Sequence, residues 1–468
     1  MVQSPTPGSS APPGKRLLPI VGTPGGAGGE AASVPPADVP LGFLAASGVG
    51  LVGAGSAAAI LAGSLVAHPT ADRSIAVVHM FMLAFLTVGV LGAIHQFAPV
   101  IGGRPLRSVA LARSTVGMVV AGCWLLPLAF LLSDNRLLVV GGVLVGVGVA
   151  GVVVNLSAPL SGRAGGPSVT GLRWSLGGLV VVVAMGITYA GDRQAGERWV
   201  KLSPHVVLAH AHVGLVGWLG LSYVAVAEKL WPMFLLARRR GRGPGRFAVR
   251  LVPAGVALLA VGLFFDLRLL TAAGVVVVVA GLAAHLWSLS GLLRKSKRRH
   301  DPLVGYIVSS AVFLVAGMVL GIAALYAPVA PQVRSRLVSA EVASLAGWVG
   351  LALLGHAYKI VPFITWTALR ASGHASGPTG APLVPSDLFS DKLARPGLFA
   401  AISGFALVVG GLLSGAVPAV SAGGMLLALT GIVQLANLGV GPRLAVAGSP
   451  RRRVGQRRAD PVDASDAG

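Results

Sequence analysis

Histidines in strongly apolar segments are the residues of this chain best suited to chemistry. Three of the ten histidines, His205, His210 and His212, fall close together in the stretch PHVVLAHAHVGLVGW. His210 and His212 are two residues apart, about 200° around a helix, so they face two different interhelical spaces. A fourth histidine, His79, lies in another apolar stretch. Imidazole ligates haem iron or copper, and it also serves as a hydrogen-bonded structural group.

The elements that carry these histidines are predicted to be membrane-spanning helices. Hydrophobic residues make up 54% of the 468-residue chain and charged residues 11%, where a soluble domain has roughly 25% charged residues. The mean hydropathy of +0.80 agrees, and together these values exclude a water-soluble enzyme, a disordered chain and a fibrous one. About 20 apolar residues span a bilayer as a helix. We therefore predict an all-α, polytopic membrane protein with about twelve transmembrane helices, near residues 41–67, 74–99, 107–132, 137–159, 170–190, 203–228, 247–265, 269–292, 303–326, 337–366, 397–414 and 417–440.

The terminal segments and the charges predict how the chain is organised across the membrane. Residues 1–39 and 442–468 are rich in Pro, Gly, Ser or Arg and predict disordered tails around a membrane domain at 40–441. With the N-terminus inside, most of the 37 Lys and Arg fall on the inner side, so the positive-inside rule predicts that both termini are cytoplasmic. We expect a bacterial plasma membrane. The net charge of +22 then reflects topology and lipid contact, and no nucleic-acid partner is expected.

A repeat relates the second, sixth and tenth spans. Each ends with a similar phrase whose proline is Pro99, Pro232 or Pro362, and the three prolines are almost evenly spaced along the chain. Aligning them without gaps brings three further sets of upstream positions into register: His79, His212 and Val342; Phe85, Trp218 and Trp348; His95, Glu228 and Tyr358. The pattern predicts three pseudo-symmetric four-helix units with these spans at equivalent places, and a first span that closes the ring.

The equal depth of two histidines suggests a shared ligand. His79 and His212 lie in the half of the membrane predicted to be external, and two imidazoles on facing helices can ligate a six-coordinate, low-spin haem. We expect His79 and His212 as axial ligands, or His79 with His210, and His210 otherwise faces a second site. The alternative, that each histidine bonds a neighbouring carbonyl, stays open at this point.

A second polar layer lies near the inner ends of the repeated spans. It is formed by His95, Glu228, His356, Tyr358 and Lys359. Such residues within a membrane are expected to face the bundle interior, where they would form a shared polar vestibule for proton entry or for a quinone or substrate headgroup. Interfacial anchoring by long side chains is the competing interpretation. In the eighth span, His285 is isolated among apolar residues, so we interpret it as a hydrogen-bonded interhelical histidine.

Three phrases carry a resemblance to a known family: HMFMLAFLTVGVLGAIHQFAPVIGG (79–103), AHAHVGLVGWLGLSYVAVAEKLWPMF (209–234) and GHAYKIVPFITW (355–366). With twelve spans in three units, the chain resembles a divergent branch of the haem–copper oxidase subunit I superfamily and, more distantly, NnrS-type proteins. The resemblance implies a b-type haem ligated by His79. It also implies copper, but the histidines that usually bind copper in the sixth and seventh spans are absent here.

The sequence thus predicts a multi-pass haem protein in electron transfer or in nitric oxide or oxygen chemistry. Its partners would be other respiratory membrane subunits or a quinone. Two alternatives come from other functional classes. A transporter or channel for a small solute or copper would use the same polar residues, and an assembly factor for a respiratory complex would need no cofactor.

Overall fold

Twelve long apolar helices make up nearly all of the structure, a computed structural model that describes residues 34–162, 166–200, 202–237, 243–297, 301–374, 376 and 381–440. The predicted tails lie outside these ranges, apart from residues 34–39. In these ranges the only extended pairing is an isolated bridge between Ser376 and Pro382. Each of the twelve helices is long and apolar enough to cross a membrane, which confirms the all-α, polytopic fold class. In chain order they are α1 Asp38–Ile60, α2 Asp72–Gly102, α3 Val109–Leu132, α4 Asn135–Leu160, α5 Gly166–Gln194, α6 Pro204–Phe234, α7 Gly245–Phe264, α8 Arg268–Leu293, α9 Pro302–Tyr326, α10 Pro331–Ala371, α11 Asp391–Ser414 and α12 Val417–Leu438.

The helices form a closed ring around three central members. Each helix contacts the next one in the chain, and α1 packs against α12. Helices α2, α6 and α10 also contact one another, and 67–72% of their apolar stretches is buried, against 22–50% in the other nine helices. The three spans that share the sequence repeat are therefore the ones that meet at the centre.

The repeat extends beyond the central helices to the outer hairpins. One close helix–helix contact recurs at equivalent places in the three units: Gly122 against Val145 (α3–α4), Gly255 against Val278 (α7–α8) and Gly404 against Leu427 (α11–α12). The first two contacts are separated by the same length of chain as Pro99 and Pro232. Glycine lets membrane helices approach closely where lipid provides no hydrophobic drive for association. The predicted pseudo-symmetric units are thus visible in the packing.

Serines and glycines tie the outer helices to the central ones. Ser47 of α1 donates to the backbone carbonyl of Phe85 at 2.8 Å, and Ser310 of α9 donates to that of Trp348 at 2.9 Å. The two acceptors are aligned positions of the repeat. Gly50, one turn after Ser47, packs against the carbonyl of Ala84 so closely that a Cβ there would overlap it.

Substituting Gly50 tests this backbone contact. Gly50→Ala places a methyl group on the Ala84 carbonyl, and overpacking of this kind costs about 1–3 kcal/mol. The matched control is Gly117→Ala, because nothing lies within 4 Å of a Cβ at that position. We expect Gly50→Ala to lower the melting temperature in detergent and Gly117→Ala to leave it unchanged or higher. Unfolding can be followed by thiol labelling of the buried Cys123. Equal melting temperatures for the two variants would contradict the packing.

Candidate functional site

A cavity of about 1600 Å³ lies among the central helices, in the half of the bundle where α2, α6 and α10 begin. It reaches from Pro204 and Pro331, the first residues of α6 and α10, to Thr87 and Trp218 near the middle of the bundle. The indole nitrogen of Trp218 donates to the Thr87 hydroxyl at 3.2 Å. Most of the wall is aliphatic, and the polar lining includes all three histidines of α6. Known ligand pockets measure about 300–1,000 Å³, so this cavity has room for a large ligand.

His79 and His210 come together across the interface between α2 and α6. Their ring centroids are 6.5 Å apart, with an angle of 30° between the ring planes. His79 Nδ1 lies 2.9 Å from the carbonyl oxygen of Ile75, and since a carbonyl only accepts, this nitrogen carries the hydrogen. His210 packs against Tyr189 of α5, and its Nδ1 is buried without a hydrogen-bond partner among the described residues.

His212 points to a different neighbour, as its two-residue offset from His210 predicts. Its Nε2 lies 3.3 Å from Oε1 of Glu341 on α10, and its Nδ1 donates to the carbonyl of Leu208 at 2.9 Å. The expected pairing of His79 with His212 is therefore not the contact that the structure describes, because the side chain beside His79 is His210. Sequence reasoning missed Glu341, although a lone carboxylate in a long apolar span is itself a signal.

Both histidine-bearing helices change their winding at the cavity. The segments Met80–Thr87 and Val213–Gly220 are π-helical, and they directly follow His79 and His212, two aligned positions. Segments of π-helix are rare and are frequent at functional sites. The equivalent stretch of Pro331–Ala371 is α-helical. The winding thus differs between the two repeats that carry a histidine here and the one that carries Val342.

Charged groups surround the entrance of the cavity. Arg193, which lines it, forms an ion pair with Asp72 at 2.6 Å. Arg334 donates to the carbonyls of Ala324 and Ala327. His205 Nδ1 lies 3.2 Å from Asp266 Oδ1, and these side chains are 52% and 72% exposed. His205 therefore stands at the rim of the cavity and is far more exposed than His212, of whose side chain 18% is exposed.

The five inner polar residues are divided among several interfaces. None of them lines the large cavity within the described part of the chain. Their neighbours belong to α1, α6, α8 and α9: His95 stacks on Phe43, His356 packs against Tyr223, Glu228 accepts from Ser288, Tyr358 packs against Tyr306 and Lys359 pairs with Asp301 at 2.7 Å. These contacts support helix packing and anchoring, and a shared vestibule stays a prediction.

Two of the inner histidines share a neighbour. His285 of α8 and His356 of α10 both pack edge-on against Tyr223 of α6, with ring centroids 5.5 and 5.8 Å from it. His285 also lies against Trp231, at 4.7 Å. His285 thus packs between helices, and the hydrogen bond expected for it from the sequence stays a prediction.

The described side chains supply pairs of possible ligands for a bound group, but no complete metal site. Across the described ranges, no three His, Cys, Asp or Glu side chains come together as a metal-binding group. The chain matches no protein-family model and no curated protein. What can be inferred about function therefore rests on the cavity and on the His79–His210 and His212–Glu341 pairs.

Thiol labelling of cysteine variants tests which side of the membrane the cavity faces. The single native cysteine, Cys123, is fully buried, so the wild-type chain should not react. Ser335 lines the cavity, whereas Ser372 is exposed at the opposite end of α10. We expect a membrane-impermeant maleimide to label Ser335→Cys in intact cells and Ser372→Cys only after permeabilisation, because the inner side carries the excess of Lys and Arg. The reverse pattern would invert the predicted orientation.

Proposed function

We propose that this chain is a membrane haem protein of the oxidase subunit I type, with His79 and His210 as the axial ligands of a b-type haem. The observation that carries the proposal is the His79–His210 pair in a large apolar cavity. If both rings held one metal ion between them, with metal–nitrogen bonds of about 2 Å and about 1 Å from each nitrogen to its ring centre, their centroids would lie about 6 Å apart. The 6.5 Å separation in the structure is close to this value.

The donor atoms also suit iron. The Nδ1–H of His79 bonds to the Ile75 carbonyl, which leaves the lone pair of its Nε2 free, and such a backbone bond is the usual support of a metal-ligating histidine. His210 has a buried ring nitrogen with no partner among the described residues, and an unsatisfied buried polar atom costs about 1–3 kcal/mol. A bound metal would remove that cost.

The chain's own residues would hold and shield the group. When bound, a b-type haem supplies a one-electron couple, and two nitrogen ligands favour its low-spin form. The aliphatic walls of the cavity would surround the apolar part of the group, and the Tyr189 ring packs against His210. His212, directed to Glu341, is not needed as an axial ligand.

We further propose that the protein works in electron transfer or in nitric oxide or oxygen chemistry. It would do so in a bacterial plasma membrane, with other respiratory subunits or a quinone as partners. The usual copper ligands are absent from the sixth and seventh spans, so we do not include a copper centre. The resemblance to the oxidase superfamily supports the proposal through the three repeated phrases.

A transporter is the second candidate, and the depth of the cavity favours it. The cavity runs from one end of the bundle to the buried Trp218 near its middle. Transporters bind substrates near the bilayer midplane at repeat interfaces, on helices with interrupted regular structure. The two π-helical segments are interruptions of this kind.

Reduced-minus-oxidised optical spectra of the protein purified from haem-replete cells test the proposal. We expect a low-spin b-type spectrum that His79→Ala and His210→Ala each abolish, because each substitution removes one axial nitrogen. His205→Ala, at the exposed rim, is the matched control and should keep the spectrum.

The outcome for His212→Ala decides between the two ligand pairs. The proposal expects this variant to keep the low-spin spectrum. Its loss, with retention in His210→Ala, would restore the pair His79–His212. A featureless wild-type spectrum, together with a blank iron analysis, would refute the haem and favour the transporter, which solute uptake into proteoliposomes would then examine.

A further inference from the structure

The contact between His212 and Glu341 has the form of a second ligand pair. In the aligned repeats, His79 and His212 occupy the same position, and His210 lies two positions earlier than that position in the second unit. In the third unit this shared position is Val342, and Glu341 lies one position before it. The pair His212–Glu341 is thus the pseudo-symmetric counterpart of His79–His210, between the second and third units.

The third interface carries apolar residues at these positions. Val342 occupies the position of His79 and His212, and in the first unit the positions of Glu341 and His210 are taken by Val78 and Val77. The apolar third interface shows that the fold does not need polar side chains here. Structural requirements of the repeat therefore do not account for the buried His212 and Glu341.

The hydrogen-bond chemistry of the pair calls for a positive charge between the two side chains. Because the Nδ1–H of His212 donates to the Leu208 carbonyl, the Nε2 of the neutral imidazole carries a lone pair. This lone pair is directed at the carboxylate of Glu341, 3.3 Å away, and an ionised carboxylate only accepts. With a neutral imidazole and an ionised carboxylate, two acceptors would face each other where Glu341 is only 7% exposed. Either a proton, which makes the contact an ion pair, or a metal cation must therefore lie between them.

We propose that His212 and Glu341 bind a divalent transition-metal cation of the zinc type from the cavity. Ligand atoms of a tetrahedral site with bonds of about 2.0–2.1 Å lie about 3.3–3.4 Å apart, and the separation of Nε2 and Oε1 is 3.3 Å. Imidazole and carboxylate are both ligands for such ions. Two side chains leave coordination positions open, and water or another ligand in the cavity completes them.

The neighbouring helix α9 leaves room for the carboxylate. A Cβ on Gly321 would overlap Oε1 of Glu341, so the carboxylate fits against α9 because this residue is glycine. Both side chains also line the large cavity, which gives an ion a path to the site. The second site is separate from the proposed haem ligands and does not rest on them.

Zinc binding to the full-length protein in detergent tests the site, with radioactive Zn²⁺ as the probe. We expect one high-affinity Zn²⁺ per chain and at least a 10-fold lower affinity in Glu341→Gln, which keeps the size of the side chain. Gly321→Ala should also lower the affinity, because its methyl group displaces the carboxylate. The matched control is His205→Ala, which removes the exposed histidine–carboxylate pair with Asp266 and should leave this affinity unchanged.

The remaining outcomes separate this site from the haem proposal. His79→Ala should alter the optical spectrum and leave Zn²⁺ binding intact. X-ray absorption of the zinc-loaded wild-type protein should show one imidazole among nitrogen and oxygen ligands at about 2.0–2.1 Å, a readout that needs no variant to fold. Absence of high-affinity binding would mean that a proton occupies the contact. That result would overturn the proposal. Undiminished Zn²⁺ binding in Glu341→Gln would also overturn it, as would a bound zinc ion without an imidazole ligand.

Discussion

Close backbone contact between helices is the constraint on which the structure depends. In a bilayer, lipid tails are as apolar as the helix surfaces, so association relies on packing and on interhelical hydrogen bonds. The chain meets this requirement with glycine at matching places in the three units, as at Gly122, Gly255 and Gly404. Serine adds hydrogen bonds to the central backbone, as Ser47 does to Phe85. Helices α2, α6 and α10 are held at the centre by these contacts.

The position of the polar pairs follows from that packing. A residue at the aligned position of His79 and His212 faces the next unit, where it meets a side chain one or two positions earlier in the alignment. His79 thereby comes to lie beside His210, and His212 beside Glu341. Buried polar groups are costly in a membrane and are commonly functional. The same packing therefore produces a nitrogen pair at one interface and a mixed nitrogen–oxygen pair at the next, and we propose these as the haem and cation sites.

The spans and their grouping could be predicted from sequence because both depend on local patterns. Long apolar stretches indicated the helices, and aligned prolines such as Pro99 and Pro232 grouped the second, sixth and tenth spans, which the structure then places at the centre. The angle between His210 and His212 also followed from helix geometry. Their partners did not, because the neighbour that each meets depends on how three helices pack, to within a residue of register. Glu341 was missed because it lies one position before Val342, where the alignment had placed an apolar residue.

The central proposal is that His79 and His210, whose ring centroids are 6.5 Å apart, together ligate one iron atom. Electron paramagnetic resonance of the oxidised, haem-replete protein tests it most directly. If these rings held the iron with their planes 30° apart, they would separate the energies of the iron d orbitals, so the account predicts a rhombic, low-spin ferric signal. A high-spin signal alone, or none from protein that contains no iron, would contradict it.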